Sequence, residues 1–142
     1  MLKLYNTFGR KKQIFKPIKE GEVGIYGCGL TVYNYGHIGN YRTLVGYDVL
    51  TRYLKYKGYK VKKVVNITDV DDKTIRDSIK EGKSLKEFTD KYIKAFFEDE
   101  KSLNIIKADK YPKATGHIKE IVKIIEKLLK KGIAYKSDDG IY

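Results

Sequence analysis

The sequence predicts an α/β fold, a parallel βαβ core followed by a helical extension. Two strand-like runs, Glu22–Cys28 and Val61–Ile67, bracket a helical pattern from Ile38 to Lys57. A glycine-bearing loop, Gly29–Gly36, joins the first run to the helix, and beyond residue 72 the pattern turns helical. Strand, glycine-rich loop, helix and strand within about 45 residues make the right-handed βαβ unit, the Rossmann-type building block of nucleotide-binding cores. Residues 1–75 are expected to form half of such a core and residues 76–142 the helical extension. In these units the ligand lies at the carboxyl ends of the strands, where the loop meets the helix. That rule brings Cys28–Asn40 and Asn66–Asp72 around one crevice.

Each element has its own signal. Leu2-Lys3-Leu4-Tyr5-Asn6 alternates as a short strand does, and Gly9-Arg10-Lys11-Lys12 reads as a turn. In the first helix Ile38, Tyr41, Val45, Val49, Arg52, Tyr53 and Tyr56 fall near helical spacing, and Gly58 supplies a left-handed stop. Ser84-Leu85-Lys86-Glu87 is a capping box opening a helix through Phe88, Tyr92, Ala95 and Phe96. A second helix, Gly116 to Lys131, carries Ile118, Ile121, Val122, Ile125, Leu128 and Leu129 on one stripe. Both stripes read as packing faces. Ile133–Lys136 reads as a strand and Ser137-Asp138-Asp139-Gly140 as a hairpin turn. Only Ile141-Tyr142 returns, so the sequence is expected to be cut from something longer.

Composition narrows the classes. The chain has 142 residues, enough for a real core, and at 42% hydrophobic and 34% charged it reads as globular. One cysteine excludes an internal disulfide framework. No apolar run approaches the roughly 20 residues of a membrane span. Met1–Lys12 lacks a signal-peptide core, so a cytoplasmic protein is expected. The net charge of +12 fits a polyanionic partner, but the positives are spread along a lysine-rich, proline-poor chain, which equally fits a general compositional bias.

The crevice segments carry the candidate chemistry. His37-Ile38-Gly39-Asn40 opens the first helix, whose unpaired N–H groups and partial positive charge attract phosphate. His37 and Asn40 share a face of the first turn and suit donation to an α-phosphate that gains charge under attack. Gly39 would leave room for a ligand against the backbone. The competing reading is a histidine that simply caps the helix. Cys28 reads either as a small buried hydrophobe or as a thiolate metal ligand; one cysteine cannot hold zinc, which needs at least three protein ligands. Thr68-Asp69-Val70-Asp71-Asp72-Lys73 reads as helix-start chemistry, with Thr68 or Asp69 as the cap, and Thr68 also falls beside the crevice.

Together, Cys28-Gly29-Leu30-Thr31-Val32-Tyr33-Asn34-Tyr35-Gly36-His37-Ile38-Gly39-Asn40 and Asn66-Ile67-Thr68-Asp69-Val70-Asp71-Asp72-Lys73 resemble the signature of cysteinyl-tRNA synthetases. Leu4–Thr7, Phe15-Lys16-Pro17, Arg52-Tyr53-Leu54, Gly58-Tyr59, Pro112–Thr115 and His117-Ile118 agree, so the resemblance runs from Met1 to Tyr142. It implies a class I aminoacyl-tRNA synthetase with a Rossmann catalytic core. Such an enzyme activates L-cysteine with ATP and Mg²⁺ and transfers it to tRNA(Cys). It also implies an active-site zinc that binds the substrate thiolate, a soft-metal preference that separates cysteine from serine. By position, Cys28 matches the first zinc ligand, and His37 and Asn40 match the catalytic HIGH motif. Thr31, His37, Gly39 and Asn40 match ATP-binding positions, while Gly29, Thr31 and Thr68 match the cysteine and adenylate pocket.

Three positions depart from the family pattern. Asn40 stands where histidine is frequent but can donate through its amide. Tyr41 replaces a small residue and could crowd the helix packing or the pocket, and Asn34 replaces an acid. Three further zinc ligands, a KMSKS-type loop and an anticodon-binding region fall outside these residues. The segment alone is therefore expected to be inactive, completed by the rest of a longer chain or by a separate C-terminal half. Two alternatives stand beside this reading: a HIGH-motif cysteine ligase that does not use tRNA, and a non-catalytic paralogue that binds ATP or tRNA.

Overall fold

The computed structural model describes all residues from Met1 to Tyr142. Four strands and four helices follow one another as β1 (Lys3–Asn6), β2 (Lys11–Ile14), β3 (Glu22–Gly27), α1 (Ile38–Tyr56), β4 (Lys60–Val65), α2 (Asp72–Lys80), α3 (Leu85–Ser102) and α4 (Ile118–Lys130), the last preceded by a 3-10 turn at Ala114–His117. β3 and β4 pair in parallel, from Glu22 opposite Lys60 to Gly27 opposite Val65, with α1 as the crossover. The expected βαβ unit is therefore present.

A third lane flanks β4. The amides of Asp109, Val65, Ile67 and Ala114 bond the carbonyls of Lys63, Lys110, Pro112 and Ile67 at 2.8–3.1 Å, alternating across the two segments. Pro112 lacks an amide proton, as suits a sheet edge. Odd-numbered residues of β3 and β4 face α1: a Cβ at Gly27 would meet the Tyr47 ring at 2.8 Å. The core joins both halves of the chain. Leu30, Val32, Leu44, Val65 and Ile67 pack with Phe88, Tyr92, Ile93 and Phe96 of α3 and with Ile105.

Several expectations require correction. The face of α1 that is buried is Leu44, Asp48, Thr51 and Leu54, whereas Ile38, Val45, Val49, Tyr53 and Tyr56 are exposed. The buried face holds an aspartate and a threonine because each is paired. Asp48 accepts from the Ile106 amide (2.8 Å) and from Arg52 Nε (2.7 Å), and Thr51 Oγ1 donates to the Tyr47 carbonyl (2.7 Å). The stripe of α4 is only partly covered by this chain: Ile125, Leu128 and Leu129 are half-buried, and no α4 residue is fully buried. Lys11 and Lys12 lie in β2 rather than in a turn: β1 and β2 form an antiparallel hairpin whose bend at Thr7–Arg10 places Arg10 at φ 49°. The cap of α2 is Asp71, which accepts from the Lys73 amide, and not Thr68 or Asp69. The α3 capping box is present, with Ser84 and Glu87 exchanging bonds. At the C-terminus Tyr135 and Tyr142 exchange backbone bonds of 2.7 and 2.9 Å around the Asp-Gly turn.

Candidate functional site

The loop after β3 continues the parallel ladder alongside the segment that follows β4. Val32 N–H donates to the Thr68 carbonyl (3.1 Å) and Thr68 N–H to the Leu30 carbonyl (3.0 Å). The two signature segments are thereby laid side by side. Gly29 makes the approach possible: a Cβ there would sit 1.8 Å from the Asn66 carbonyl oxygen. Asn66 fastens the same turn, its Oδ1 accepting from Gly29 N–H (3.1 Å) and its Nδ2 donating to Thr68 Oγ1 (3.1 Å).

Between this loop and the start of α1 lies a crevice of about 330 Å³. Gly29, Thr31, His37 and Asn40 line it, together with Tyr33 and Asn34. Cys28, Gly39 and Thr68, also singled out from sequence, are not on its wall. Thr68 stands behind Thr31 as its ladder partner, and Cys28 is an exposed free thiol just past β3.

The start of α1 is a reciprocal cap. His37 Nδ1 accepts from Gly39 N–H (3.0 Å), and Asn40 Oδ1 accepts from His37 N–H (3.0 Å). This fixes both side chains chemically. An Nδ1 that accepts leaves the ring proton on Nε2, and an amide whose oxygen accepts leaves its NH₂ as a free donor. Capping and ligand donation therefore coexist in the same residues. The space at Gly39 is used by His37 itself, since a Cβ there would meet the imidazole Cε1 at 2.9 Å. The first turn of α1 has no acidic residue, while those of α2, α3 and α4 carry Asp72, Glu87 and Glu120. The positive end of the α1 dipole thus faces the crevice uncompensated.

Tyr41, instead of crowding the pocket, ties the helices together. Its hydroxyl donates to Asp99 of α3 and its ring fills the space beside Gly36. Burial and the neighbouring carboxylate push its pKa up, so it stays a donor. Asn34 Oδ1 is used locally, accepting from Tyr35 N–H (2.8 Å). Lys73 places its ammonium 4.8 Å from the centre of the Tyr33 ring, bringing a cation to the crevice wall.

Asp69 has a structural partner that sequence reasoning missed. Buried, it accepts from both the amide (2.9 Å) and hydroxyl (2.5 Å) of Thr115, pinning the segment before α4 to the end of the sheet. In the sequence it is one of three acids in Asp69-Val70-Asp71-Asp72, with no indication of what lay opposite. No group of three or more His, Cys, Asp or Glu residues converges to hold a metal ion. Cys28 therefore belongs to no set of three such donors, and these residues do not build a zinc site by themselves.

A crevice at the carboxyl end of a parallel strand pair, with two fixed donors at a bare helix N-terminus, is an arrangement suited to an anionic ligand. The family model described as tRNA synthetases class I (C) catalytic domain matches residues 14–142, and the chain belongs to that family. Among curated relatives, the Cysteine--tRNA ligase of Methanosarcina mazei is 55% identical over 142 residues, all of this chain and 30% of its own length. That of Thermococcus kodakarensis is 50% identical over 141 residues, and that of Brachyspira hyodysenteriae 54% identical over 138, covering 99% and 97% of this chain and 30% and 29% of their own. The chain thus spans about 30% of the length of these relatives, aligned throughout.

Proposed function

We propose that this chain is the nucleotide-gripping part of a cysteine--tRNA ligase. Residues 1–75 would form the first half of a Rossmann-type catalytic core, and residues 76–142 the beginning of a connective insertion. The reaction has two steps. A carboxylate oxygen of L-cysteine attacks the α-phosphorus of ATP, the bond to the β-phosphate oxygen breaks, and pyrophosphate leaves with Mg²⁺. The 3′-terminal ribose hydroxyl of tRNA(Cys) then attacks the carbonyl carbon of the cysteinyl-adenylate, the bond from that carbon to the phosphate oxygen breaks, and AMP leaves. The single observation that carries the reading is the His37–Asn40 cap, which holds Nε2–H and an amide NH₂ at an uncompensated helix N-terminus. In that position the two donors bind the α-phosphate oxygens and stabilise the charge that grows during attack. Thr31 and Gly29 line the pocket for the cysteinyl part, with Thr68 positioning Thr31 through the ladder.

Zinc would supply thiol selectivity. Cys28 would be one ligand, and the remaining donors must come from outside these 142 residues. A cytoplasmic location is part of the same proposal; no helix is long and apolar enough to cross a membrane.

The test is ATP–pyrophosphate exchange by the complete gene product, with zinc, comparing cysteine, serine and no amino acid. Cysteine-dependent exchange is expected, and His37→Ala should slow it about 10²–10³-fold, the scale of losing one such donor. Exchange without cysteine dependence, or a His37→Ala variant altered only in cysteine affinity, would overturn the assignment. The 142-residue chain by itself should show no cysteinylation of tRNA.

A further inference from the structure

The opposite end of the sheet carries a second feature, unconnected with the adenylate crevice. Residues 1–19 contain Lys3, Arg10, Lys11, Lys12, Lys16 and Lys19 and no acidic residue. They fold into the β1–β2 hairpin and the strap that leads to β3. The hairpin is not part of the β3–β4 sheet; Phe15 at its base meets the Tyr59 ring edge-on at 6.1 Å. Between strap and sheet lies a cleft of about 600 Å³ lined by Lys16, Lys19, Lys60 and Lys62.

The sheet explains why these cations converge. Lys60 and Lys62 are two apart on β4, so they project from one face, about 6.5 Å apart along the strand. Opposite them in register stand Glu22 and Gly24. Gly24 contributes no side chain, and nothing lies within 4 Å of where its Cβ would be, so the cleft is open there. Glu22, the acid of the lining, is held by Lys19 at 3.0 Å. Lys16, Lys60 and Lys62 have no ion-pair partner, and neither do Arg10, Lys11 and Lys12 at the hairpin bend. Two aromatic rings stand among these cations, Phe8 98% exposed at the bend and Tyr5 63% exposed on β1. Cations without counter-charges, interleaved with exposed rings, fit a phosphodiester backbone whose bases can stack. An acidic peptide would leave the rings unused.

We propose that the N-terminal hairpin and the Lys16–Lys60–Lys62 cleft form an RNA-backbone-binding surface at the amino ends of β3 and β4. About 20 Å of strand separates it from the crevice at their carboxyl ends. It contacts phosphates without reading sequence, and it rests on the ligase reading only in the choice of tRNA as the probe.

The experiment is fluorescence anisotropy of a labelled tRNA(Cys) transcript with the complete gene product, between 50 and 300 mM salt, wild type against K16Q/K60Q/K62Q. All three side chains are exposed, so the variant should fold. Losing three contacts at roughly 0.7 ions each should lower the slope of log affinity on log salt by about 2 and weaken binding roughly 10–100-fold. A control variant, K80Q/K94Q/K101Q, removes the same charge from exposed positions elsewhere and should move the slope little. An unchanged slope in the cleft variant, an equal loss in the control, or competition by polyglutamate as strong as by RNA would overturn the proposal. ATP–pyrophosphate exchange, run in parallel, should be the same for wild type and cleft variant. Its absence from both would strike the ligase reading and leave the RNA measurement to stand by itself.

Discussion

α3 and α4 look alike as sequences and behave differently as structures. Both are amphipathic helices with an apolar stripe at helical spacing, yet α3 buries Phe88, Thr89, Tyr92, Ile93, Phe96 and Glu100, and α4 buries nothing. α3 lands on the loop and strand ends that α1 also covers, so its stripe is shared by three neighbours. α4 touches the rest of the chain at its first turns, around a pocket of about 400 Å³ lined by residues including Tyr26, Pro112, His117 and Ile121. A stripe states which face wants cover; only neighbouring elements supply it. The two polar residues buried in α3 teach the converse. Thr89 goes inside because its hydroxyl bonds the Leu85 carbonyl at 2.9 Å, and Glu100 because Tyr111 donates to it at 2.7 Å.

The sharpest way to break this comparison is to truncate one side chain on each helix. Phe96 is 1% exposed and packs edge-on or tilted against Phe97 and Tyr111. Phe96→Ala should cost about 3–5 kcal/mol, the usual range for deleting a fully buried aromatic. Ile121→Ala on α4, where the side chain is already 41% exposed, should cost under about 1 kcal/mol. Urea unfolding of the 142-residue chain measures both. Equal losses would mean that the α4 stripe is covered in solution.

The same contrast explains what was legible in the sequence. The βαβ unit was readable because β-branched runs, a glycine loop and a left-handed stop at Gly58 (φ 86°) are local signals. The Cys28–Asn40 side of the crevice was readable because the ligand place of a βαβ unit lies at the strand carboxyl ends, and His37 and Asn40 are three apart at a helix start; Asn66–Asp72, expected around the same crevice, supply none of its lining. Periodicity points to the wrong face of α1, because Val45, Val49, Tyr53 and Tyr56 look like a core stripe, whereas Asp48 and Thr51 look like solvent. Their partners, Ile106 and the helix's own Tyr47 carbonyl, follow from the fold and from a back-bond that periodicity does not register. The β2 strand was missed for a related reason: Lys11-Lys12-Gln13-Ile14 is exposed at every position, so it has no buried face to produce a pattern. Asp69 belongs to the same class, since its partner is 46 residues away.

Asp69 supplies the middle-sized effect. It joins the packed half of the molecule to the segment that leads into α4, through two bonds to Thr115. Asp69→Ala removes a buried carboxylate and strands the Thr115 amide, and should cost about 2–3 kcal/mol, the scale of a hydrogen bond to a charged group. The loss should be accompanied by faster hydrogen exchange confined to residues 114–130 before global unfolding. Uniform acceleration over the whole chain would show that α4 is coupled to the core by more than this link.

The smallest effect concerns pH, and it tests whether the buried face of α3 tolerates charge. Glu100 is 2% exposed, one carboxylate oxygen accepts from Tyr111, and the other, Oε1, has no partner. Burial raises its pKa, opposed by the Tyr111 hydrogen bond and by the charges of Lys63 and Lys107, with Asp48 adding to the rise. Lys63 is itself pushed down by burial, opposed first by the charge of Glu100. An acid whose folded pKa lies above its unfolded value holds its proton more tightly when folded. The folded state therefore loses stability as pH rises from the unfolded carboxylate range, about 4.3, through the raised value. Glu100→Gln keeps an oxygen to accept from Tyr111 and removes the titration. Its urea midpoint should match wild type at low pH and exceed it at pH 8, the gap opening across that interval. A gap of the opposite sign would mean that Lys63 stabilises the Glu100 carboxylate by more than burial costs it, and α3 would then owe part of its packing to a buried ion pair.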